Sequence, residues 1–159
     1  MCSPAIVPKI FSDDFYSQTI EHGSQLKDAL KGTKIRPFQT VIANLPELTA
    51  PDRVMTIASI ISQSDIEDCV LAFISNVEPR RELGDPEELK GAMRLISALA
   101  HGGQRVTVAF SSSDMILWKA AGATNCATGK FFNLRRDVYK RQVQSRCFWF
   151  TVALGEGVV

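Results

Sequence analysis

The stretch that most constrains this chain is residues 105–136. Apolar residues 106–110 (VTVAF) give way to a Ser-rich turn at Ser111, Ser112, Ser113 and Asp114. A short amphipathic run ends at Ala121-Gly122, and residues 125–128 (NCAT) form a second strand-like segment that runs into Gly129-Lys130. A helix between two strands is too long a connection for a hairpin, so the two strands must lie parallel in one sheet. The stretch is a βαβ unit, and the chain before it has to extend the same sheet.

It does so with regular punctuation. Ser12-Asp13-Asp14 is a helix start, the acidic residues complementing the N-terminal dipole, and apolar residues at helical spacing continue to Gly32. Residues 38–43 (FQTVIA) read as a strand opening into Asn44 and Glu47, and Pro51 opens a second helix with Val54, Ile57, Ala58 and Ile61 as its inward stripe. Residues 69–75 (CVLAFIS) are apolar almost without alternation, as in a strand covered on both faces. Asp85-Pro86-Glu87-Glu88 combines a cap, a first-turn proline and acids, and the helix it opens ends at His101-Gly102-Gly103. His101 reads there as a dipole partner. Trp118 reads as packing against a neighbouring helix.

Helices and strands thus alternate with short connections. The fold class is α/β, a parallel sheet with alternating helices, in an open doubly wound sheet or a (β/α)8 barrel. Four strands fall short of a whole barrel, which takes about 250 residues, so the expectation is the C-terminal half of one, over residues 1–136. After Arg136 the character changes. Residues 137–142 (DVYKRQ) are what GAT GTG TAT AAG AGA CAG encodes, a string that resembles the transposon mosaic end of sequencing-library adapters. The expectation is a non-native chimeric tail over residues 137–159; the alternative is a basic helix at Tyr139, Lys140 and Arg141 leading into a strand.

Composition narrows the function classes. With 45% hydrophobic residues the chain can bury a core, and its net charge of +1 is scattered rather than banded. That argues against a nucleic-acid or membrane surface as the main business. No apolar run approaches a membrane span, and the N-terminal residues lack the plan of a signal peptide. Four cysteines without CxxC spacing and two histidines do not make a zinc site; reduced thiols in a cytoplasmic protein are expected.

In parallel α/β folds, ligands meet the C-terminal ends of the strands. That rule selects Asn44 with Glu47; Asn76, Glu78, Arg80 and Arg81; Ser111, Ser112, Ser113 and Asp114; and Thr128, Gly129, Lys130, Asn133, Arg135 and Arg136. Glu78, Asp114 and Asn76 are the candidate catalytic residues. Ser111, Ser112, Ser113, Gly129, Lys130 and Arg135 are the candidate cofactor-binding residues.

The segment AGATNCATGKFF resembles the last βα unit of phosphate-binding (β/α)8 barrels, in which a glycine and a basic residue follow the final strand. Gly122 and Gly129 match the pattern, and Lys130 takes the basic position. The resemblance implies a phosphate held by two loops and a short helix N-terminus, belonging to FMN or to a phosphorylated substrate. The departure lies at Ser111-Ser112-Ser113, where that family has a Gly pair; serines still offer hydroxyl and backbone donors to an anion. Asp114 would repel a dianion unless it points away as a helix cap. An alternative is a base-exchange enzyme like the tRNA-guanine transglycosylases, with Asp114 or Glu78 attacking the sugar and Arg135-Arg136 holding the polynucleotide. A third reading is a non-catalytic scaffold, or a barrel half that acts only through its missing partner half; as a half barrel, the chain is expected to self-associate through its exposed strand edges.

Overall fold

The computed structural model describes residues 1–4, 7–74, 85–111 and 114–128. The elements follow the expected alternation: α1 (Asp13–Ala29), β1 (Gln39–Asn44), a 3-10 turn (Leu45–Thr49), α2 (Pro51–Ile61), β2 (Asp68–Ile74), α3 (Pro86–His101), β3 (Arg105–Val108), α4 (Met115–Ala120) and β4 (Asn125–Cys126). All four strands pair in parallel, in the spatial order β1-β2-β3-β4. The architecture is α/β, with a parallel sheet and alternating helices.

Local chemistry sets the helix starts. The Ser12 hydroxyl accepts from the Phe15 amide at 3.2 Å and opens α1. Asp85 accepts from the Glu87 amide at 2.9 Å through Oδ1, with Pro86 in the first turn of α3. Each cap satisfies an amide that the first helical turn leaves without a partner. Helix α2 begins at Pro51 with no side-chain cap, the proline removing one such amide outright.

Strand alternation divides the sheet into two faces. One row carries Gln39, Val41 and Ala43 of β1, Cys69, Leu71 and Phe73 of β2, and Val106 and Val108 of β3, aligned by register. This is a helix-covered face. Gln39, fully buried, donates to the Thr19 carbonyl of α1 at 2.9 Å, and Phe73 meets Trp118 of α4 with ring centroids 5.4 Å apart. Consecutive helices touch one another from α1 to α4. The approach of α1 is close: a Cβ on Gly23 would stand 1.8 Å from Gln39 Oε1. Trp118 is buried as expected, but its ring partner is a strand residue.

The opposite row holds Thr40, Ile42, Asn44, Asp68, Val70, Ala72, Ile74, Arg105, Thr107 and Asn125. Ile42 and Ala72 are buried there, while Thr40, Asn44, Val70, Ile74 and Thr107 are only half-buried. The 3-10 turn after β1 drives Leu45 and Leu48 fully into the core. Helix α3 seats against it through Gly91, where an added Cβ would lie 1.9 Å from the Leu48 carbonyl oxygen.

One pairing has no counterpart in the sequence reading. Cys2 bridges Phe38 in parallel; the Ser3 amide donates to the Phe38 carbonyl at 2.8 Å, and the Phe38 amide to the Met1 carbonyl at 2.7 Å. The first residues of the chain therefore lie strand-like along the free edge of β1. Three residues are too few for any periodicity to announce them.

Candidate functional site

Four parallel strands must deliver their C-terminal ends to one rim, and the register places described residues there. Asn44 stands opposite Ile74, and Ser111 lies beyond Val108, its amide donating to the Ala127 carbonyl at 2.9 Å. Asn44, Ile74, Ser111 and Thr128 thus share an end of the sheet. Of the residues selected from sequence, Asn76, Glu78, Ser112, Ser113, Gly129, Lys130 and Arg135 lie outside the described residues. So do Arg80, Arg81, Asn133, Arg136 and the whole of residues 137–159.

At the end of β3 the backbone turns sharply. Phe110 has a φ of 56°, the left-handed region that bulky side chains rarely occupy. Such a conformation costs about 1–2 kcal/mol. It delivers Ser111 into the sheet end, 2% exposed, where its hydroxyl donates back to the Val108 carbonyl at 3.1 Å. Both donors of Ser111 are therefore committed to the fold.

Asp114 is 8% exposed and immediately precedes α4. Its carbonyl accepts the amides of Leu117 at 2.9 Å and Trp118 at 3.1 Å. Its own backbone is already helical, and its side chain makes no capping hydrogen bond. Cys126 sits close by: burial pushes its thiol up, while the Lys119 ammonium pulls it the other way. The rim at β3 and β4 thus assembles a buried hydroxyl, a buried carboxylate and a half-buried thiol.

A second polar cluster, which the sequence did not reveal, ties the outer rim together. Arg53 of α2 donates to Glu47 at 3.2 Å, to the Phe11 carbonyl at 2.6 Å and to the Asp13 carboxylate, and its guanidinium lies 5.7 Å from the centre of the Tyr16 ring. Glu47 is therefore an ion-pair partner. Tyr16 is fully buried, and burial together with Glu47 pushes its phenol up. A third cluster closes the other end of the sheet. Asp68 receives Arg105 through Nε at 2.8 Å and Nη2 at 3.0 Å, and Arg36 through Nε at 2.7 Å. No spacing in the sequence links these residues, because the sheet alone brings them together.

Among the described residues no three His, Cys, Asp or Glu side chains converge to hold a metal ion, and no helix is long and apolar enough to cross a membrane. His101 bonds within its own helix, its Nδ1 lying 2.7 Å from the Ser97 carbonyl. Compared with models of known families, with curated proteins and with solved structures, the chain matches none.

Proposed function

We propose that residues 1–136 are the C-terminal part of a (β/α)8 barrel that binds a phosphate-bearing ligand, FMN, a sugar phosphate or a nucleotide, at the C-terminal rim of its strands. The observation that carries the reading is the strand order. Doubly wound sheets reverse direction at a switch point, whereas a barrel adds each strand beside the last, as β1-β2-β3-β4 do here. The strand-like pairing of Cys2 with Phe38 continues that progression at the β1 edge.

In this reading Lys130 supplies the point charge, and Gly129 lets the backbone approach the phosphate. Ser112 and Ser113 offer donors, and Arg135 adds positive charge. Ser111, with its own donors occupied, anchors the loop. Asp114, Glu78 and Asn76 are the acid–base or nucleophilic candidates around the ligand's reacting end.

The test uses the full chain. Inorganic phosphate and FMN should each raise its melting temperature, and Lys130→Ala should weaken phosphate binding by about tenfold or more, the loss of one charge-assisted contact. A flavin absorbance spectrum on the purified protein would single out FMN. Absence of any shift with phosphate, FMN or sugar phosphates sinks the reading. Retention of RNA that falls steeply with salt would instead favour the transglycosylase-like chemistry, with Asp114 as the acid.

A further inference from the structure

Asn44 ends β1 in the row of Thr40 and Ile42, opposite Ile74 and on the face turned away from Gln39 and α1. Its Oδ1 is buried and has no hydrogen-bond partner among the described residues. A buried carboxamide oxygen without a donor is costly, and folded proteins retain few of them. Two other buried atoms share this condition, the Tyr16 hydroxyl and Gln104 Oε1. Tyr16 lies between α1 and α2 beside Arg53, and Gln104 precedes β3 at the opposite end of the sheet, its amide nitrogen held by the Ile61 carbonyl at 2.9 Å. Of the three, Asn44 alone stands where a strand of the sheet ends at the candidate rim.

We infer that Asn44 is a ligand-binding residue whose carboxamide oxygen accepts a hydrogen bond from an N–H or O–H on the non-phosphate end of the ligand. The inference rests on the phosphate reading of the rim and narrows its ligand. Neighbouring strands lie about 4.8 Å apart, so β1 is roughly 10–14 Å from the β3–β4 end of the rim. A bare phosphate or a three-carbon sugar phosphate cannot span that distance. The ligand is an extended phosphate ester with a donor at its far end, such as a flavin or a nucleotide whose ring carries an N–H.

The experiment compares the full-length wild type with Asn44→Leu and Asn44→Asp, using inorganic phosphate, FMN and GMP as probes. Asn44→Leu removes the unsatisfied amide at similar volume. Its melting temperature without ligand should equal or exceed that of the wild type, and its affinity for inorganic phosphate should not change. Its affinity for whichever of FMN or GMP the wild type binds should fall about tenfold, one hydrogen bond's worth. Asn44→Asp keeps an acceptor and should retain most of that affinity. A Leu variant several degrees less stable than the wild type overturns the assignment, because the carboxamide would then be serving the fold. So does equal binding of the ester by the wild type and the Leu variant. If inorganic phosphate binds but neither ester binds more tightly than phosphate, the Asn44 inference falls alone. If phosphate does not bind at all, the rim reading falls and takes this one with it.

Discussion

Cys69 lies fully buried beneath the helices, and desolvation pushes its thiol up to about 12 from an ordinary value of 9.0. Below pH 9 native and unfolded chains both keep that proton, so its contribution to stability is fully present. Above pH 9 the unfolded chain releases a proton that the native protein holds, and stability falls by up to about 1.4 kcal/mol per pH unit until the native thiol also ionises. The raised Tyr16 phenol acts in the same direction from about pH 10. Urea melts under reducing conditions between pH 8 and pH 10.5 should show this decline, and Cys69→Ala should flatten it. An identical slope in the variant would remove Cys69 as its source. At this scale the sequence was informative about type and silent about partners. A cysteine inside an apolar run reads as a buried thiol, and it is one. Glu47 after a strand reads as part of a polar rim, and only the arrival of Arg53 from α2 shows its ion pair.

Helices and strands were legible wherever a cap or an unbroken apolar run marked them. Asp85-Pro86 opens α3, and the run after Cys69 is β2, each within a residue or so of the boundary read from sequence. The 3-10 turn was missed, because Leu45 and Leu48 flank a proline in a stretch too short to show a period, and it read as a polar loop. That turn explains a constraint on α3. Alanine ordinarily improves on glycine inside a helix by about 1 kcal/mol. At Gly91 the sign reverses, because the new Cβ would stand 1.9 Å from the Leu48 carbonyl oxygen. Gly91→Ala should therefore destabilise the protein by about 1–3 kcal/mol, as overpacking does. The urea midpoint measures it, and an unchanged or higher midpoint would mean that α3 is free to shift away from the turn.

For the molecule as a whole, direction and alternation could be read in advance, since a helix between strands forces parallel pairing. The contacts between distant segments could not, because nothing in sequence spacing relates Asp68 to Arg36 and Arg105, or Ser3 to Thr40. Ser3 is 3% exposed; its hydroxyl accepts the Thr40 amide at 2.8 Å, and its carbonyl accepts the Thr40 hydroxyl at 2.9 Å. Ser3→Ala leaves the Thr40 amide without an acceptor, at a cost of about 1 kcal/mol or more. In native-state hydrogen exchange the Thr40 amide should then exchange about fivefold faster or more, while β2 and β3 keep their protection. Equal protection of Thr40 in both proteins would show that the edge does not depend on this contact.

The strand order has a consequence for how the molecule is made. No strand from β1 to β4 pairs across a gap left for a later one. During synthesis each new strand therefore emerges beside a neighbour that has already left the ribosome, and the sheet can widen at the pace of translation. The growing edge is always the most recently made strand, which is where an incomplete chain would most readily capture the wrong partner.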